Sequence, residues 1–182
     1  MMISHQRAPT FLICAALLLV VGCGDTQSNA DNTPACAPSC QDENLRGQDL
    51  TRAKLGGANL AGANLAGANL DGADLAGADL AGADLQGARL HGSNLTDANL
   101  SGATLDGAEL ERANVTDAEL TDAELGSADL READFTFANL SGATLDHADL
   151  SGADLTGATM SEESLSAALL TGTVMPDGTT HE

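Results

Sequence analysis

Residues 73–87 read Ala73-Asp74-Leu75-Ala76-Gly77-Ala78-Asp79-Leu80-Ala81-Gly82-Ala83-Asp84-Leu85-Gln86-Gly87, one five-residue phrase three times over with no insertion. The frame holds far outward from this stretch. Of the 23 residues taken every fifth place from Leu50 to Met160, 20 are Leu and the others are Val115, Phe135 and Met160. The residue two places earlier, from Ala53 to Ala158, is Ala at every repeat but Ser93. A helix would rotate successive Leu by about 140° and spread them over every side. A strand would flip them between its two faces. All the Leu point inward only if the chain turns a corner once per pentad. Corners repeated in one sense build a solenoid.

The phrase Ala-(Asp/Asn)-Leu-x-x, as in Ala73-Asp74-Leu75 and Ala138-Asn139-Leu140, resembles the pentapeptide-repeat family. The resemblance implies an all-β fold, a right-handed quadrilateral β-helix with four pentads to a coil. Residues twenty apart would then be neighbours. Leu60, Leu80, Leu100, Leu120 and Leu140 would stack in one column, and Val115, Phe135 and Leu155 in another. Val115 under Phe135 reads as volume compensation in a packed core. At about 4.8 Å between neighbouring strands, the rod would be roughly 30 Å long.

Gly at the second place after the central residue, from Gly57 to Gly92, suits a type II turn, which needs φ > 0 there. Asp97, Arg112, Asp117, Asp122, Ser127, Glu132, Phe137 and His147 replace it later, and a different corner geometry is expected at those places. Thr96, Thr116, Thr136 and Thr156 should form an outward ladder. The repeat domain spans residues 45–178, with 179–182 as a tail. For residues 161–170 two endings are open: a short helical cap starting near Ser161, or a further coil.

The formal charge is −20, and there is no Trp or Tyr. Such acidity excludes ordinary nucleic-acid binding, which needs a basic face. His5, His91, His147 and His181 are scattered, and no G-x-S-x-G or phosphate-loop spacing occurs. No catalytic residue, metal site or cofactor is expected. Asp134 and Asp154, or Glu109, Asp129 and Asp149, would stack into acidic ladders. Weak Ca²⁺ binding is one use for them and solubility the favoured one.

Ahead of the repeat, Phe11 to Val21 is an apolar run of eleven, too short to span a bilayer as a mature helix and suited to a signal segment at residues 1–22. It ends in Val20-Val21-Gly22-Cys23, which resembles the lipobox of bacterial lipoproteins, with Val20 where Leu is commoner. The resemblance implies that Cys23 becomes the lipidated N-terminus. A plain secretory signal with an incidental cysteine is the alternative. Residues 23–44 then form a polar tether. In it Cys36 and Cys40 are expected to pair as a local disulfide in an oxidising compartment, with interchain pairing second. These features point to a non-enzymatic lipoprotein of the bacterial envelope, with outer membrane favoured because Gly24 follows the cysteine. It would be anchored by lipid and bound to an unknown envelope protein. Phe137 is a candidate contact residue, and packing on Phe135 or at a corner is its other reading. The alternative function, also by resemblance, is an acidic DNA mimic that binds a type II topoisomerase.

Overall fold

The computed structural model describes residues 31–182; the signal segment and Cys23 lie outside the described residues. The chain is a right-handed quadrilateral β-helix. Its bridges are parallel and twenty residues apart, from Ser39↔Asn59 to Asp154↔Val174, so four pentads close each coil. Each face contributes one bridged residue per pentad, the one just before the inward central residue. We number the faces by these columns: face 1 runs from Asn44 to Thr144, face 2 from Asp49 to Leu169, face 3 from Lys54 to Val174, and face 4 from Ser39 to Thr159.

A pentad has five backbone N–H groups, and burial requires a partner for each. Three go to neighbouring coils: Leu55 N–H donates to the Asp74 carbonyl at 2.7 Å, Gly57 N–H to Ala76 at 2.8 Å, and Asp74 N–H to Ala53 at 3.0 Å. The fourth closes the corner, as Ala58 N–H donates to the Leu55 carbonyl at 2.9 Å. The fifth is accepted by the side chain just before the central residue: Asn59 Oδ1 takes Ala61 N–H at 3.1 Å, and Asp84 Oδ1 takes Gln86 N–H at 3.0 Å. This local clamp is the physical reason for Asn or Asp at that place.

The interior is a stack of Leu and Ala. Leu60, Leu80, Leu100, Leu120, Leu155, Val115 and Phe135 have no exposed surface, and Leu140 has 1 %. Val115 and Phe135 lie in adjacent coils of face 3, through the Asn114↔Asp134 bridge. Ser93, in an Ala place, is buried with an unpartnered hydroxyl.

The expected change of corner geometry does not occur. The eight non-glycine corners from Asp97 to His147 have φ between 56° and 63°, the region used by Gly57 at 65° and Gly92 at 59°. The inter-coil ladder continues through the first seven, from Asp97 N–H to the Thr116 carbonyl at 3.0 Å up to Phe137 N–H to the Thr156 carbonyl at 3.0 Å. Leaving the left-handed region would break that ladder, so the side chains accept it. Asp and His tolerate this backbone; a large apolar residue does so rarely.

Both ends are closed by chain that the sequence had placed elsewhere. Cys40 fills a fully buried central place one pentad before Leu45, so the coil takes in the end of the expected tether. Cys36 and Cys40 are joined by a disulfide, their Cα atoms 5.0 Å apart. Thr33 and Pro34 are buried over the first coil. Asn32 Nδ2 donates to the Thr51 carbonyl at 3.1 Å, and Thr33 Oγ1 accepts Lys54 N–H at 3.1 Å.

At the other end the chain does both things left open by the sequence. A single 3₁₀ turn, Glu162–Leu165, is capped by Ser161, whose Oγ accepts Ser164 N–H. The coil then resumes through Asp149↔Leu169 and Asp154↔Val174. Residues 179–181 are not a loose tail. They fold back antiparallel through Val174↔Thr180, and His181 N–H donates to the Thr173 carbonyl at 2.8 Å. The last parallel edge on face 3 is thereby paired rather than left open.

Candidate interaction surface

The outward side chains decide what this rod can do, and the four faces differ. Face 2 and its following corner hold four of the six Lys and Arg residues described: Arg52, Arg89, Arg112 and Arg131. A ladder of ion pairs climbs this face. Arg89 lies 2.6 Å from Asp71, His91 Nε2 2.8 Å from Glu109, Arg112 2.7 Å from Glu132, and Arg131 2.6 Å from Asp129 and 3.4 Å from Glu111. The Arg131 hydrogen bond holds the Asp129 carboxyl below its ordinary range, and the same contact pushes the Arg131 guanidinium up. His91 is therefore a half-buried member of this ladder rather than a solvated side chain. Because Arg89 cannot clamp the turn, the His91 N–H goes instead to Asp71 Oδ1 in the coil before, at 3.2 Å.

On the other faces the charged residues are almost all acids, set among Asn, Thr and Ser. Arg46 and Lys54 sit in the first coil of faces 1 and 3, and face 4 has no Lys or Arg among the described residues. The stacked acids are in place, with Asp134 bridging Asp154 and Asp129 bridging Asp149. Asp134, Asp149 and Asp154 each have one oxygen, Oδ1, occupied locally, and Asp129 has both occupied by Arg131. Asp154 Oδ1 accepts Thr156 N–H at 2.9 Å and the Thr156 hydroxyl, and Asp149 Oδ1 accepts Ser151 N–H at 3.0 Å and its hydroxyl. Thr96, Thr116, Thr136 and Thr156 stand in one column, each bonded to the Asn or Asp of its own pentad rather than to the next Thr. Glu119 is clamped by Thr121 and then by Asn139 from the next coil, which together hold its carboxyl below the usual range. Among the described residues no trio of His, Cys, Asp or Glu is gathered for a metal ion.

Shallow hollows open at the C-terminal end and on face 1. Two at the C-terminal end measure about 370 and 530 Å³; Leu165 and Met175 line both, with Met160 in the first and Leu169 in the second. The hollow on face 1, about 520 Å³, surrounds Gly126 between Asp106, Asp146 and His147. His91, His147 and His181 stand on different parts of the rod.

Phe137 is exposed, at 64 %. It occupies the corner after face 3, at φ 59°. Its ring does not pack on Phe135, which is wholly inside. It lies against the next coil instead, where a Cβ on Gly157 would come within 2.6 Å of ring atoms Cδ1 and Cε1. Sequence reasoning named Phe137 but could not see that Gly157, twenty residues on, seats the ring. The turn clamp was also missed, although the recurrence of Asn and Asp before each Leu was its signal.

A continuous β-helix whose outward groups form columns of charge and turn clamps defines a repeat scaffold. The family model for pentapeptide repeats matches in eight copies over residues 39–65, 58–97, 98–136 and 133–172, and the chain belongs to that family. No curated protein matches the sequence significantly. Among solved structures, the chain is similar to HetL of the cyanobacterium Nostoc sp. strain PCC 7120, a pentapeptide repeat protein involved in heterocyst differentiation regulation. The two are 32 % identical over 79 % of this chain and 81 % of HetL, with a TM-score of 0.45. It is also similar to a trypsin-treated variant of QnrB1, a plasmid-mediated fluoroquinolone resistance protein. That likeness is 24 % identity over 72 % of this chain and 67 % of that one, with a TM-score of 0.55.

Proposed function

We propose that this protein is a non-enzymatic lipoprotein of the bacterial cell envelope, held by lipid on Cys23 and offering its β-helix to a protein partner. The observation that carries the reading is the apolar run Phe11–Val21 closing on Gly22-Cys23, with polar chain starting at once. Acyl chains contribute about 0.8 kcal/mol per buried CH₂, so more than one chain on a single residue anchors firmly. Long flat faces suit protein contacts. The hydroxyls next to the acids are tied up in turn clamps, and the histidines are far apart, which supports a role without catalysis.

Cell fractionation tests this. Wild-type protein should pellet with membranes and stay there in high salt, since a chain of formal charge −20 has no electrostatic reason to adhere to an anionic surface. Cys23→Ser should leave the pellet or remain uncleaved while keeping its fold. Wild-type protein found in the cytosol with residues 1–22 retained overturns the proposal. Faces 1, 3 and 4, whose charged residues are nearly all acids, would then favour the second reading, a DNA mimic that occupies the DNA site of a type II topoisomerase.

A further inference from the structure

We infer that the corner carrying Phe137 is a docking edge for an arginine side chain of a cationic peptide segment. This deepens the partner-binding part of the proposal above and rests on it.

The first observation is backbone strain. From Gly47 to Gly157 the second residue after each central position sits at positive φ, and apart from Phe137 each such corner is Gly, Asp, Arg, Ser, Glu or His. A bulky aromatic there is an outlier. Such strain persists where the surroundings impose it, and it clusters at contact sites. The second observation is what the strain achieves. It places a ring on the outside, with one side resting against Gly157 and much of its surface open to solvent. Gly157 is needed for this, because any side chain there would collide with the ring.

Charge chooses the occupant. Asp117 and Asp97 hold the same corner in the two preceding coils. Asp134 and Asp154 stand in the adjoining column of face 3. Among the described residues no Lys or Arg lies on face 3 after Lys54, nor anywhere on face 4. An aromatic face beside carboxylates attracts a cation. A guanidinium fits better than an ammonium, since it stacks flat on a ring while its forked N–H groups reach carboxylates. Arginine and aromatic residues are also those that dominate binding energy at interfaces.

The test uses full-length protein in non-ionic detergent, with fluorescein-labelled hexa-arginine as the probe, read by anisotropy at physiological salt. Phe137→Ala and Phe137→Leu should each weaken binding at least threefold, and Phe137→Tyr should preserve it. Hexa-lysine should bind more weakly than hexa-arginine to wild type and lose less with Phe137→Leu. Asp117→Asn should weaken hexa-arginine more than Asp79→Asn on face 4 does. Equal binding by wild type and Phe137→Leu overturns the inference, as does an equal loss from Asp117→Asn and Asp79→Asn, which marks diffuse charge attraction. Either result leaves the lipid anchor standing if the wild type still pellets. Cytosolic wild-type protein sinks the envelope reading whatever the peptide does.

Discussion

Val115 and Phe135 are neighbours in one inward column, the only interruptions of its Leu run between Leu55 and Leu155. Both are fully buried, and their strands pair directly through Asn114↔Asp134. Phe135→Leu alone removes buried ring atoms beneath a coil held rigidly by its ladder. With about 0.8 kcal/mol per buried CH₂ plus a cavity term, the loss should be about 1–2 kcal/mol. Val115→Leu alone forces a methylene into a filled layer, at a cost of about 1–3 kcal/mol. Together they restore two ordinary Leu places, and each supplies what the other lacks. The double variant should therefore lie within about 1 kcal/mol of wild type, a coupling of roughly 2 kcal/mol, inside the range for touching residues. At about 2–4 °C per kcal/mol for a domain of this size, the single variants should melt several degrees low and the double variant near wild type. Circular dichroism is the probe, because the chain has no Trp or Tyr. Additive losses in the double variant would refute the reasoning, showing that the two side chains do not share one volume.

Three further outcomes are expected. Ser93→Ala should raise stability by about 1 kcal/mol, since an unpartnered buried hydroxyl costs about 1–3 kcal/mol; a lower melting temperature would show that the hydroxyl has a partner. Cys36 and Cys40 should resist alkylation in quenched envelope protein until reductant is added, and immediate labelling of both would remove the disulfide. Glu119 titrates low because Thr121 and Asn139 donate to its carboxylate, so it stabilises the fold at pH above the ordinary carboxylate range, and that contribution fades as pH falls through its depressed folded value. Thr121→Val should move the Glu119 titration upward in a carbon-detected NMR experiment, and an unmoved titration would show that the hydroxyl is not its main donor.

Much of this protein was legible in its sequence because a strict period leaves one solution. Leu every fifth residue, with Ala two before it, can face one interior only if the chain turns once per pentad. The burial of Leu60, Leu80, Leu100, Leu120 and Leu140 follows from that alone; their stacking in one column, twenty residues apart, needed the four-pentad coil that the family resemblance implied. The expected export signal is likewise read from a local pattern of apolar and polar residues. Other features depended on contacts between residues twenty apart. The corners at Asp97 and Phe137 keep positive φ because ladder hydrogen bonds from the next coil outweigh local preference. His91 joins Glu109, and Phe137 rests on Gly157, because the coil rise sets those side chains beside each other. The ends were hardest to read. Thr33, Cys40 and residues 179–181 pack where strand edges would otherwise stand open, and a repeat carries no signal for the chain that closes it. The sequence determined the coil; only the stacked structure decided which side chains meet across it.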